Sequence, residues 1–168
     1  MHLSTLFSTL VGSLPQAKDL NPPPKITPDT QTCAFIVKGH VMEYIQVGPE
    51  RKKVVSLFFG PQEFVVCCNP QYSILQSLDQ VTNNPFTHRQ IRHMLRTYAE
   101  SRTIYMEMRK RYQEKVAERI RTLTTMTGPE RFTHLKQHQP WVFKLAAIED
   151  IASYLAIPVE MVKALQKG

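Results

Sequence analysis

The chain has 168 residues, 42% of them hydrophobic, and a formal net charge of +7. One or two small domains with a true core are therefore expected, since a disordered chain would be poorer in apolar residues. No run approaches the ~20 apolar residues that cross a bilayer, so no membrane partner is expected. The positive balance favours an acidic partner, of which nucleic acid is the usual one.

Residues 1–15 are mildly apolar, lack a basic leader and are interrupted by Ser4, Thr5, Ser8 and Thr9. They read as a short amphipathic helix with Leu3, Leu6, Phe7 and Leu10 on one side, not as a signal peptide. Asn21-Pro22-Pro23-Pro24 is a rigid linker. Cys33, Cys67 and Cys68 are an odd set without spaced pairs, which argues against a disulfide framework or a zinc site. They are expected as strand thiols in a reducing cytoplasm.

From residue 26 to 82, short β-branched and aromatic runs are punctuated by Gly, Pro and Asn. Strands are predicted at 33–37, 41–47, 54–59, 64–68 and 72–81, with turns at Gly48-Pro49-Glu50-Arg51, Gly60-Pro61 and Asn69-Pro70. That pattern suits a small antiparallel barrel or sandwich.

At Thr87 the period changes. Ile91, Leu95 and Tyr98 recur by four and three, and Tyr105, Met108, Tyr112, Val116, Ile120 and Leu123 continue the stripe. This is close to a heptad seam with a basic back. Residues 87–125 hold ten basic and four acidic side chains, nearly all the charge excess. A break is predicted at Ala99-Glu100-Ser101-Arg102, and residues 103–124 as one helix would be ~33 Å long. A helix of that length on so small a protein predicts a parallel two-fold dimer through Tyr105, Met108, Tyr112, Val116, Ile120 and Leu123. Packing on the chain's own strands is the competing use of the same stripe.

Thr127-Gly128-Pro129-Glu130 starts another helix, Phe132 and Leu135 face inward, and Gln139-Pro140 stops it. Trp141, Val142, Phe143 and Leu145 add apolar bulk. Residues 145–167 then carry the inward pattern of a helix-turn-helix. Ile151 and Leu155 stand at i and i+4, Ala152 is small at the close approach, and Ile157 plugs the turn Ala156-Ile157-Pro158. Val162 and Leu165 are the inward face of the second helix.

This order of parts resembles the Crp/Fnr (catabolite activator) family of transcription regulators. Gly128-Pro129-Glu130-Arg131-Phe132 followed by Pro140, and Ile151-Ala152-Ser153-Tyr154-Leu155-Ala156-Ile157, are similar to the local sequences of one branch of that family. Leu57-Phe58-Phe59-Gly60 stands where the ligand cassette of its barrel begins. The resemblance implies an α+β fold. An N-terminal antiparallel β-barrel, a double-stranded β-helix of the cyclic-nucleotide-binding type, would occupy residues 1–86. A helical linker and long dimerisation helix would occupy 87–126, and a helix-turn-helix 127–168. It implies a dimeric DNA-binding regulator with Ser153, Tyr154, Val159, Glu160, Lys163 and Lys167 toward the duplex. It also implies a small-molecule effector in the barrel, near Gly60, Glu63, Gln71, Tyr72 and Ser73.

Two departures qualify this. Members that bind cyclic nucleotides hold the ribose with a Gly-Glu pair and the phosphate with an Arg. Here Pro61 follows Gly60, Glu63 comes three residues on, and no Arg or Lys lies between Lys53 and Arg89. An enclosed phosphodiester needs a charge-assisted partner, so cyclic AMP held in the usual way is not expected and no cofactor is assigned. Val159 and Ala164 align with the arginines that read guanine. Glu160 is suited to a cytosine amino group, and Lys163, Lys167, Ser153 and Tyr154 to phosphates. The first expectation is a regulator reading DNA largely through charge and shape. The second is a ligand-binding or scaffold protein that no longer reads sequence.

Catalysis is not expected, and no catalytic residue is assigned. There is no Gly-rich phosphate loop or nucleophile elbow. His134 and His138 have metal-ligand spacing, but Leu135 follows the first and no acid or Cys nearby completes a set, so they read as surface histidines. His88 and His93 are expected among the exposed arginines. A cupin-like enzyme would need three inward ligands, and only His40 lies in the strand region.

Overall fold

A computed structural model describes residues Lys18–Leu20, 33–66 and 73–167. The expectations for residues 1–15, for the proline linker and for Cys67, Cys68, Gln71 and Tyr72 lie outside the described residues.

Among the described residues, seven strands come before His88: β1 Lys18–Leu20, β2 Cys33–Lys38, β3 Val41–Val47, β4 Lys52–Phe59, β5 Phe64–Val66, β6 Ser73–Ser77 and β7 Val81–Phe86. The stretch expected as one strand at 72–81 is divided, because residues 78–80 turn between β6 and β7. All pairings are antiparallel and form two sheets, ordered β1-β7-β2-β5 and β4-β3-β6. Among the described residues no ladder joins the sheets, so the expected barrel is present as two antiparallel sheets without closure. Gly39 links β2 to β3 at φ +86, and a Cβ there would run into the Gln80 carbonyl. Only glycine meets both demands at this crossing.

The β3–β4 ladder shifts register between Glu43 and Tyr44, which pair with Leu57 and Val55. Ser56 is the extra residue of this bulge. It sends Val55 and Phe58 to one face and Leu57 and Phe59 to the other. The inner face builds a core from Ile36, Val41, Leu57, Phe59, Val65, Leu75 and Val81. The outer face supplies Met42, Val55 and Phe58 to a second core.

Helix α1 spans His88–Thr97 and α2 spans Ala99–Thr125. Thr87 caps α1 reciprocally with Gln90, a capping box. The break falls at Tyr98, just before the predicted 99–102, where the backbone is extended at φ −122, ψ 118. Ser101, which is buried, donates its hydroxyl to the carbonyls of Met94 and Tyr98 and ties the two helices at this corner. Consequently α2 is 27 residues long, about 40 Å at 1.5 Å per residue.

Helices α3 Gly128–His138, α4 Val142–Leu145, α5 Ile148–Leu155 and α6 Val159–Lys167 complete the chain. Glu130 accepts from the Thr127 N–H and hydroxyl at 2.7 Å, fixing the start of α3. Phe132, Leu135, Val142, Ile151, Ala152, Leu155 and Val162 are buried together, and they share one core with Met42, Val55 and Phe58 of the outer sheet face. Residues 126 and 127 separate α2 from α3, and one hydrophobic core holds side chains from both sides of them.

Candidate nucleic-acid interface and effector pocket

Helices α5 and α6 meet across Ala156-Ile157-Pro158, the predicted turn. Ala156 adopts the left-handed conformation at φ 51, ψ 49, which lets its N–H close the end of α5 on the Ala152 and Ser153 carbonyls. Ile151, Ala152, Leu155 and Val162 are buried, and Ile157 and Leu165 pack at the margin. Gly128, at the start of α3, leaves no room for a side chain: a Cβ would sit 2.8 Å from Ile157 Cγ2 and 3.3 Å from the Met161 sulfur. The packing of three helices against one turn thus depends on a residue the sequence reading had treated only as a helix start.

Six residues were expected to face a duplex, and the structure divides them. Glu160, Lys163 and Lys167 are exposed on α6, and Val159 is half-buried against the shared core. Ser153 and Tyr154 point the other way. The Ser153 hydroxyl accepts from the Val55 N–H at 3.0 Å. The Tyr154 ring lies against Phe58, with centroids 4.9 Å apart, and beneath the Arg119 guanidinium at 4.0 Å. Arg119 also donates to the Tyr154 carbonyl. Burial raises the Tyr154 pKa, and the neighbouring Arg119 opposes that shift. The docking of α5 on β4 thus turns the Ser153 hydroxyl and the Tyr154 ring toward partners within the chain. Lys53 of β4 adds an ion pair of 2.7 Å to Asp150 in the first turn of α5.

The expected effector residues are also divided. Glu63 Oε2 accepts from the Gly60 N–H at 2.7 Å, and both Glu63 oxygens accept from Lys115 of α2, at 2.8 and 2.7 Å. Lys115 lies 4.6 Å over the Phe59 ring, and burial lowers its pKa against the opposing pull of Glu63. Ser73 donates to Glu43, whose carboxylate also accepts from the Tyr112 hydroxyl at 3.3 Å. Glu43 is 3% exposed. Burial raises its pKa, partly offset by hydrogen bonds from Ser73, Tyr112 and Ser56. Glu43, Ser73 and Tyr112, but not Gly60, Glu63 or Lys115, line a groove of about 400 Å³ between the inner face of β3, β4 and β6 and helix α2, walled by Ile45, Leu57, Val116 and Leu123 and bordered by Arg119.

Glu43, Lys115 and Arg119 were not singled out in the sequence. For Glu43 a signal was present: it alternates with Val41 and Ile45, so an inward strand position carries an acid. Lys115 and Arg119 were grouped with the basic back of the long helix. Their positions on either side of Val116 were the available clue.

The apolar stripe of α2 faces its own chain for much of its length. Met108 is buried. Tyr105 packs beside Phe86 and Ile91, Tyr112 bridges two cores with its ring parallel to Phe59, and Val116 lies on the inner sheet core. Leu123 is half-buried, and Ile120 is 57% exposed. Met106, outside the predicted stripe, is 58% exposed.

The histidines expected on the surface interact with each other: His134 and His138 stack with centroids 4.1 Å apart, and His134 lies 3.4 Å from Glu118. No cluster of three or more metal-ligating side chains occurs among the described residues. No described helix is long and apolar enough to cross a membrane.

No sequence-family profile matches the chain, and no curated protein does. Solved structures do. A protein described as a transcriptional regulator of the Crp/Fnr family from Eubacterium rectale superposes with a TM-score of 0.71 at 11% identity, over 97% of this chain and 82% of its own. A cyclic-nucleotide-binding-domain protein from Listeria monocytogenes gives 0.70 at 11% identity, over 98% and 88%. The c-di-GMP-responsive global regulator CLP of Xanthomonas campestris gives 0.68 at 13% identity, over 98% and 90%. At these identities the likeness is one of architecture, and the chain has the α+β fold, with antiparallel sheets, of the Crp/Fnr transcription regulators.

Proposed function

We propose that the chain is a dimeric, DNA-binding transcription regulator of the Crp/Fnr type. Residues 1–86 act as a sensory domain, 87–126 as the connecting and dimerisation segment, and 127–168 as a helix-turn-helix unit that acts on DNA in the cytoplasm. The observation that carries this reading is the α5–α6 pair: a three-residue turn with a left-handed Ala156, a buried inward face, and Glu160, Lys163 and Lys167 exposed on the second helix. It is attached through a long helix to the two-sheet domain, and the fold is shared with proteins described as a Crp/Fnr transcriptional regulator and a global regulator.

Dimerisation is assigned to the exposed apolar side chains of α2, Met106 and Ile120, with Leu123 beside them. Tyr105, Met108, Tyr112 and Val116 mainly hold α2 to its own sheets. The groove around Glu43 is the effector pocket, and its chemistry disfavours cyclic AMP. Its polar centre is a buried acid, the Arg119 on its lining is held on the Tyr154 carbonyl and ring, and Glu63, outside the groove, is paired with Lys115 instead of facing a ribose.

The test is a titration of the full chain with promoter-length duplex at two salt concentrations. Salt-dependent binding is expected, because phosphate contacts release counterions. Binding that is absent, or indifferent to salt, defeats the reading. One observation favours a second reading, a scaffold whose helix pair meets a protein: Ser153 and Tyr154 are tied inward, and Val159 stands where an arginine would read a base. Lys163→Glu separates the two, since it abolishes duplex binding only if α6 faces DNA.

A further inference from the structure

A second cavity, of about 320 Å³, lies between α2, α3 and α5; it shares Arg119 with the sheet groove and none of the outward side chains of α6. Arg119 and Arg131 converge on it. Each donates to backbone carbonyls at the end of α5 or α2: Arg119 to Tyr154, and Arg131 to Leu123 at 3.2 Å and Ala156 at 3.5 Å. Carbonyl partners satisfy hydrogens without cancelling charge, so two guanidinium charges remain uncompensated. By contrast Arg121 is neutralised by Glu118 at 2.7 Å. Burial lowers the Arg119 pKa, and Arg131 lowers it further by repulsion across the cleft. Burial likewise lowers that of His134, with His138 adding to the effect.

Two buried polar atoms on this lining have no hydrogen-bond partner: Arg131 Nε, a donor, and Gln139 Oε1, an acceptor. Leaving such atoms unpaired costs about 1–3 kcal/mol each. Both belong to residues that line the same basic cavity, and an anion that accepts from a guanidinium and also donates one hydrogen would complete both. A carboxylate or sulfate at neutral pH has acceptors only. Inorganic phosphate and pyrophosphate still keep a proton at neutral pH and present both acceptor oxygens and a P–OH donor.

We propose that this cleft is a binding site for a free phosphate or diphosphate anion, with Arg119 and Arg131 on its oxygens and Gln139 Oε1 accepting from its P–OH. Such a ligand clasps α2 to α3 and α5 and so links the long helix to the helix pair. The site shares only Arg119 with the groove around Glu43 and does not depend on the DNA reading. Duplex phosphates are the other source of the same chemistry, but Glu160, Lys163 and Lys167 do not line the cleft.

The test is calorimetric titration of the full chain with inorganic phosphate and pyrophosphate at constant ionic strength, with sulfate as the control, together with the ring resonances of His134. One saturable site is expected, at least tenfold tighter for phosphate or pyrophosphate than for sulfate, with the His134 pKa raised on binding. Arg131→Gln weakens it at least tenfold. Gln139→Glu, which breaks no bond made by Oε1, places a carboxylate among the cations. It raises the melting temperature of the unliganded protein and removes the phosphate response, and it decides the matter if Arg131→Gln does not fold. Equal binding of sulfate, unchanged affinity in Gln139→Glu, or His134 shifts produced only by a DNA duplex would overturn the proposal.

Discussion

The two faces of the β4-β3-β6 sheet use similar residues for different ends. The inner face, with Leu57, Phe59 and Leu75, closes over a buried acid and a groove against α2. The outer face, with Met42, Val55 and Phe58, is covered by the C-terminal helices, and the buried carboxylate at that junction, Asp150, is paired with Lys53 at 2.7 Å. One face is packed around a polar centre that a ligand could reach, and the other is a docking surface. The comparison explains why residues 54–59 read as an almost unbroken apolar run: a strand covered on both faces does not alternate.

The largest expected effect tests the outer face. Phe58 is fully buried where sheet, Trp141 and Tyr154 meet. Phe58→Ala should cost about 3–5 kcal/mol in urea unfolding. A loss below about 1 kcal/mol would mean that the C-terminal helices do not rest on this face in solution. Ser153→Ala is the sharper probe. It leaves the Val55 N–H unpaired at a cost of about 1–3 kcal/mol, and hydrogen exchange at the Val55 amide should accelerate. Unchanged exchange there would break the contrast between the faces.

The inner face is probed by pH. The Glu43 carboxyl is held above its ordinary value of 4.5, so the folded chain keeps this proton more tightly than the unfolded one. The associated stability is fully present below the unfolded pKa and is lost as pH rises through the folded pKa. Glu43→Gln removes that loss, so the variant should gain stability on the wild type across this window and hold the gain above it. A difference that does not vary with pH would show that Glu43 is not held protonated. The smallest effect belongs to the turn. Ala156→Gly relieves a left-handed backbone at φ 51 and should stabilise by about 1 kcal/mol in thermal melts. A destabilised variant would show that the Ala156 methyl is needed in packing.

Much of the architecture was legible in local pattern. The predicted strands 41–47 and 54–59 lie within β3 and β4, and the turn at 156–158 separates α5 from α6. Chain-local rules suffice there: strand runs between Gly and Pro turns, and inward residues at i and i+4. The break before α2 was placed slightly late. Ser101 does sit in the predicted window, but its bonds reach back to Met94 and Tyr98. The candidate sites were less legible. Ser153 and Tyr154 carry the right chemistry for phosphates, yet their partners are Val55 and Arg119, residues far away in the chain.

The sequence by itself determined the order of parts, the apolar stripe of the long helix, the basic excess and the inward face of the α5–α6 pair, because these depend on periodicity and composition within short windows. Only the tertiary structure decided which way each stripe faces. Tyr112 became a hydrogen-bond donor to Glu43, Lys115 the counter-ion of Glu63, and Arg119 and Arg131 two walls of one cleft. The reason is physical: pairing of charges and burial of polar atoms are set by distance in space, and these partners are brought together only when the sheets, α2 and the C-terminal helices pack on one another.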